Sequence, residues 1–264
     1  MVRRISFDFT FQIAALLIAF IVVHATYVAV IRPNAAVDMA EQARLLNENP
    51  EHVPERSYYV VVRDYEQEAC FILMLWALAI LGFKGWVAAR QQAQLDHDFV
   101  GLPVGEFITP DRVHTVAGRI RKLPLNQQEY LLPRVLLGAL SRFSTTGNVQ
   151  DASTVAHKLC ESASERMESE LSIIRYIAWA IPSIGFIGTV RGIGDALAQA
   201  HRAVEGDITG VTASLGVAFN STFIALILSI FLMFIIHQVQ SKQESLVLDT
   251  ERYSDDWLLR RLRS

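Results

Sequence analysis

Apolar residues gather into four long stretches separated by polar sequence, and each stretch is long enough to cross a ~30 Å hydrocarbon core as a helix. The first runs from Phe9 to Ile31 without a charged residue, with Gln12, His24 and Thr26 inside it. The second, Ala69 to about Ala89, is apolar as far as Lys84, whose stem is expected to snorkel to the interface. The third covers Ile173 to about Gly194 with Arg175 near one end, and the fourth covers Val211 to Ile236 without a charge. Backbone polar groups cannot stay unpaired in lipid, so all four stretches are predicted to be helical. Arg3 and Arg4 ahead of the first stretch resemble a secretion signal, but the apolar run is too long and lacks a small-x-small cleavage site.

Helical signals continue between the spans. Thr109-Pro110-Asp111 reads as an N-cap, a proline at the first helical position and an acid in the first turn, predicting a helix to about Leu123. Asn126 can cap a second helix through Tyr130, Leu131, Val135, Leu136 and Leu140, with Pro133 early in it or bending it. From Asp151 nothing breaks the pattern before Pro182, so one long helix is predicted to enter span three, and span four continues through His237–Tyr253. The fold class is therefore all-α: a polytopic membrane protein with four transmembrane helices, two of them extended into a helical cytoplasmic domain. The expected organisation is two peripheral spans in 1–89 with an acidic external loop at 32–68, a helical cytoplasmic domain at 90–170, two further spans in 171–240, and a cytoplasmic C-terminal helix at 241–264.

Charge sets the orientation. Arg3, Arg4, Lys84, Arg90, Arg166, Arg175 and Lys242 flank the spans on one side if both termini are cytoplasmic. The segment 32–68 then lies outside, and there Asp38, Glu41, Glu48, Glu51, Glu55, Asp64, Glu66 and Glu68 outnumber Arg32, Arg44, Arg56 and Arg63. Over all 264 residues the net charge is only −3 and 52% are hydrophobic, which removes nucleic acid as a partner and an ordinary soluble domain as a class. Two cysteines, Cys70 and Cys160, are expected on opposite sides of the membrane as free thiols, and neither belongs to a metal-ligand cluster.

The unusual residues lie in spans three and four. Pro182, Gly185, Gly188, Gly192 and Gly194 cluster in span three, where the proline can kink a helix and Gly188-x-x-x-Gly192 lets two helices approach closely. Span four carries Asn220-Ser221-Thr222, and such polar groups are costly at lipid depth unless they face protein or water. Their hydroxyls could instead bond their own helix carbonyls. Gly192-Ile193-Gly194 is no dinucleotide fingerprint, since Leu197 stands where the third glycine belongs, and there is no P-loop lysine.

The pattern Pro182-x-x-Gly185-x-x-Gly188-Thr189-Val190-x-Gly192, followed about thirty residues on by a Gly/Ala-rich span with Thr222-x-x-Ala225-Leu226, resembles the MotA/TolQ/ExbB proton-channel family over roughly residues 155–245. The resemblance implies a homopentamer around two copies of a single-span MotB/TolR/ExbD-like protein, whose membrane aspartate takes up the ion. It implies a rotary, stator-like motor in the bacterial inner membrane, driven by H⁺ or, with more oxygen ligands, by Na⁺, and without a cofactor. Thr189 and Thr222 are the residues it places beside the ion path, with Ser221 and Asn220 as neighbouring path-lining candidates. Four spans resemble the flagellar-stator layout.

The residues independently support such a division of labour. Spans one and two carry few polar groups, whereas spans three and four carry hydroxyls and glycines. No Asp or Glu falls inside a span as drawn, and threonine does not titrate near neutral pH, so the ion-binding carboxylate is expected from another chain. Arg191 is expected to pair with Asp195 one turn on, and His24 to be a hydrogen-bonded structural histidine. The competing class is an oligomeric scaffold or signalling protein without conduction, which has no need of hydroxyls at matched depth. An enzyme is not expected, because His97, His114 and His157 are too scattered to form a catalytic group.

Overall fold

A computed structural model describes residues 2–49, 57–101 and 106–263, with side chains from residue 9 onward apart from that of residue 47. The expected contributions of Glu51, Glu55, Arg56 and the Arg3 and Arg4 side chains lie outside these. The described residues are helical, and their one β-type contact is an isolated parallel bridge between Ile108 and Leu262. Four helices are long and apolar enough to cross a membrane: Phe9–Leu46, Tyr65–Gln92, Val149–Ala198 and Thr209–Arg261. The chain divides into two compact units, one of residues 1–81 and 173–236, the other of 82–172 and 237–264.

In the first unit, α1 (Val2–Thr26) does not end where the apolar run ends. A π-helical turn at Tyr27–Ile31 passes it into α2 (Arg32–Glu48), so part of the segment expected as an external loop is a helix. Alanines and other good helix formers carry the helix on, and Pro33 sits at its first positions. A short α3 (Tyr58–Val62) precedes α4 (Tyr65–Gln92), which starts four residues before the apolar run at Ala69. Glu66 and Glu68 therefore belong to its first turn, where the helix dipole favours acids. Glu68 is buried, accepts from Arg32 and lies 2.6 Å from His24 Nδ1, which makes His24 a hydrogen-bonded residue as expected. Trp76 Nε1 donates to Gln12 O at 2.9 Å, tying α4 to α1, while Leu17, Ile18 and Ile21 stay exposed, as helix faces directed at lipid do.

The second unit has a water-soluble protein's core. Its α5 is Val113–Ile120, α6 is Leu125–Gln128 and α7 is Leu131–Thr146. Along α7, Leu132, Val135, Leu136, Ala139, Leu140 and Phe143 recur at helical spacing and are all buried. They pack with Val116 and Ile120 of α5, and with residues 152–160 and 246–262. The predicted boundaries shift here. Pro110–Arg112 form a 3₁₀ turn, Thr109 makes no side-chain cap, and α5 stops at Ile120. Asn126 lies inside α6 instead of capping α7, whose Leu131 N–H is taken by Gln91 Oε1 at 2.9 Å. Pro133 sits in the first turn of α7, where its missing N–H costs nothing, and Gly147 ends that helix in the left-handed region at φ +64°.

Two long helices complete the chain: α8 (Val149–Ala198) and, after the short α9 (Ala200–Val204), α10 (Thr209–Tyr253). Helix α8 starts two residues earlier than predicted, with Asn148 Oδ1 accepting from Gln150 N, and continues without a break through Pro182. At the other end of α10, Tyr253 Oη donates to His97 O at 2.9 Å and accepts from Phe99 N at 3.0 Å. Lys84 is buried, and its Nζ donates to Glu170 Oε2 at 2.7 Å, where Arg166 Nε also donates to Oε1 at 2.9 Å. A buried ammonium needs such a partner, and Glu170, held against the effect of its own burial below the usual carboxylate range by Lys84 and Arg166, supplies it. Cys70 and Cys160 are both free and buried.

Candidate ion-path site between two helices

The glycines of α8 form one stripe, and the small residues of α10 lie against it. A Cβ on Gly185 would stand 2.4 Å from Ala225 Cβ, one on Gly188 2.6 Å from Ser221 Cβ, and one on Gly192 2.7 Å from Ser214 O. As the number rises on α8 it falls on α10, so the helices are antiparallel and touch nearly backbone to backbone. Gly194 is not part of the stripe, since a Cβ there meets nothing within 4 Å.

This close approach brings the two threonines together. Thr189 Oγ1 and Thr222 Oγ1 share a hydrogen bond, Thr189 Oγ1 also reaches Ala218 O at 2.9 Å, and Thr222 Oγ1 reaches Gly185 O at 3.1 Å. Thr189 Oγ1 also lies 3.4 Å from Gly185 O, so the pair has two protons for four hydrogen-bond contacts. Either Thr189 donates to Thr222 and Thr222 to Gly185 O, or Thr222 donates to Thr189 and Thr189 to Ala218 O or, at the longer distance, to Gly185 O. The two arrangements differ in the direction of the hydrogen bond that the hydroxyls share. Both threonines are half-buried at the edge of the contact, beside the exposed Phe186, Val190, Phe219 and Phe223.

Ser221 lies elsewhere on α10. It is buried, faces Gly188, and its Oγ has no hydrogen-bond partner among the described residues. Asn220 is half-buried and takes no part in the threonine pair. Adjacent helical positions point about 100° apart, so the three side chains of Asn220-Ser221-Thr222 do not converge. Pro182 stands one turn from the stripe, and Ser183 Oγ bonds back to Trp179 O at 3.1 Å.

Arg191 does not pair with Asp195 as expected. Its Nε and Nη2 donate to Glu66 Oε1 and Oε2 of α4 at 2.7 and 2.8 Å, a bidentate fork that an i,i+4 aspartate does not match. Glu66 escaped the reading of the sequence because it precedes the apolar run. The available signal was Arg191 itself, a cation inside an apolar span that needs a carboxylate from somewhere.

These features define a class: an all-α membrane protein with a polar, glycine-packed seam between two of its four candidate spans. Residues 127–252, just under half of the chain, match the model of the MotA/TolQ/ExbB proton channel family. The family is one of membrane channels that work with a partner membrane protein, and the match spans both α8 and α10 around the seam. No curated protein and no solved structure gives a significant match.

Proposed function

We propose that this chain is the ring subunit of an ion-driven motor. It assembles as a homopentamer around two copies of a single-span partner and uses the proton-motive force of a bacterial inner membrane to drive rotation and mechanical work. The observation that carries this reading is the Thr189–Thr222 hydroxyl pair, set between glycine-packed helices and able to reverse its hydrogen-bond direction. A scaffold needs close packing but not a reversible hydroxyl chain. In this reading the partner's aspartate binds the ion and the threonine pair lies beside it, and the exposed apolar faces of α8 and α10 are covered by neighbouring subunits, partner helices and lipid.

The ion is H⁺. A proton passes along hydroxyls, whereas Na⁺ requires several oxygens around one point, which Asn220, Ser221 and Thr222 do not provide. The test is flux through the purified complex in liposomes at a fixed membrane potential. Flux is expected to follow the pH difference and to be unchanged when Na⁺ is replaced by choline; flux that follows Na⁺ and ignores pH overturns the assignment.

Orientation follows from the basic flanks, with both termini and the unit built around α5 and α7 in the cytoplasm. Single cysteines at Glu48, exposed at the end of α2, and at Gln127 in α6 are expected to react with an impermeant maleimide from opposite sides of the membrane. Reaction of both from one side reverses part of this topology.

A further inference from the structure

A cleft of about 680 Å³ opens in the unit of residues 82–172 and 237–264. Its walls are the last turn of α4 with the segment that follows, the end of α5, α6, and the residue before α7. Cavities of roughly 300–1,000 Å³ hold small ligands. Arg90, His97, Arg119, Asn126, Gln127 and Tyr130 line this one, and each of them brings a hydrogen-bond donor. Asp98 is the only acid in the lining among the described residues, and its Oδ1 is taken by Val100 N at 3.0 Å and Gly101 N at 2.8 Å.

The two arginines are held in place, yet neither forms an ion pair among the described residues. Arg90 stacks with its Cζ 4.4 Å from the centre of the exposed Trp86 ring. Arg119 Nη1 donates to Val100 O at 3.0 Å and to Gly101 O at 2.6 Å, which leaves its Nη2 and Nε hydrogens for another acceptor. The chain is shaped to that guanidinium: Gly101 has φ +59°, and a Cβ there would collide with Arg119 Nη1. Tyr253 pins the same segment, since its Oη donates to His97 O and accepts from Phe99 N. A fixed wall thus presents two forked cations that no acid among the described residues neutralises.

We propose that this cleft binds a phosphate ester, with the phosphate on Arg90 and Arg119 and the rest of the molecule against His97, Asn126, Gln127 and Tyr130. A phosphate offers oxygens to two guanidiniums at once, whereas the fork of one arginine already satisfies a carboxylate. Two sources carry this group. An anionic phospholipid enters headgroup first, since the exposed Trp86 stands near the end of the apolar run of α4 and Arg90 follows that run. A nucleotide enters from solvent. The inference is independent of the ion path, because the cleft belongs to one compact unit and the threonine pair to the other. Once bound, the ligand links α4, α5 and α6 through one anion and stabilises the folded unit.

The test titrates the full chain, purified in mild detergent, with dioctanoyl phosphatidylglycerol and with ATP, and with their phosphate-free counterparts dioctanoylglycerol and adenosine. Binding is read by native mass spectrometry and by the unfolding temperature. At least one phosphate probe is expected to bind saturably and raise the unfolding temperature, while its phosphate-free counterpart does neither. Binding of phosphatidylglycerol alone assigns a lipid headgroup, binding of ATP alone a soluble ligand, and binding of both the phosphate itself. R90Q and R119Q are each expected to weaken binding about tenfold or more, as loss of a charge-assisted hydrogen bond does, and K122Q, outside the cleft, to leave it within about twofold. Should R119Q fail to fold because the turn at Gly101 opens, R90Q decides, since the contact of Arg90 is with an exposed ring. Wild type that binds neither phosphate probe, R90Q that binds as wild type does, or K122Q that loses as much as R90Q overturns the site.

Discussion

Liposomes carrying Thr189→Val complexes are expected to lose proton flux by roughly tenfold or more, the kinetic equivalent of about 1.4 kcal/mol or above, while the ring still assembles. Valine keeps the branched shape at the edge of the glycine stripe, so the packing of α8 on α10 persists. What disappears is the Oγ1 that meets both Thr222 Oγ1 and Ala218 O. Thr222 then has Gly185 O as its partner and no hydroxyl to hand a proton to. The same loss is expected for Thr222→Val, and the double variant is expected to be no worse than either single one, because the hydroxyls act as one unit. Thr189→Ser keeps the oxygen and should retain most of the flux. Normal flux in both valine variants would remove the threonines from the path.

Gly192→Ala is expected to prevent formation of a stable complex. The added methyl would stand 2.7 Å from Ser214 O and 2.8 Å from Ala218 N, and these are backbone atoms of a long helix that cannot rotate away. Overpacking of this kind costs about 1–3 kcal/mol, and here it forces the helices apart and separates Thr189 from Thr222 as well. Gly194→Ala, two residues on, is the control. Its methyl meets nothing within 4 Å, and the change from glycine to alanine favours the helix by up to about 1 kcal/mol. Size-exclusion profiles and thermal denaturation in mild detergent should separate the two variants clearly. Equal behaviour would mean that the stripe does not set the spacing of the helices.

The local elements were readable to differing depths. The long helices α8 and α10 follow from chains without breakers, and Pro182 is passed without interruption. Caps were less legible. At α7 the first N–H is satisfied by Gln91, forty residues earlier in the chain, and no local pattern around Asn126 reveals that. The π-turn that carries the first helix on into α2 was likewise hidden, because the end of an apolar run marks where lipid contact could stop and not where the backbone must.

By itself the sequence determined the all-helical class, the four candidate spans and the family resemblance of residues 127–252, since each depends on what a stretch contains: apolar length, missing breakers, and a spaced Gly-Thr pattern. Which side chains meet was decided by the tertiary structure. Arg191 takes Glu66, whose two carboxylate oxygens reach it from α4, and leaves Asp195 one turn on. Lys84 takes Glu170, and Ser221 meets Gly188 while Thr222 meets Thr189, because the approach of the helices decides which group each side chain finds in front of it. A pattern along one chain records which groups need partners. Only the approach of α4, α8 and α10 determines who those partners are.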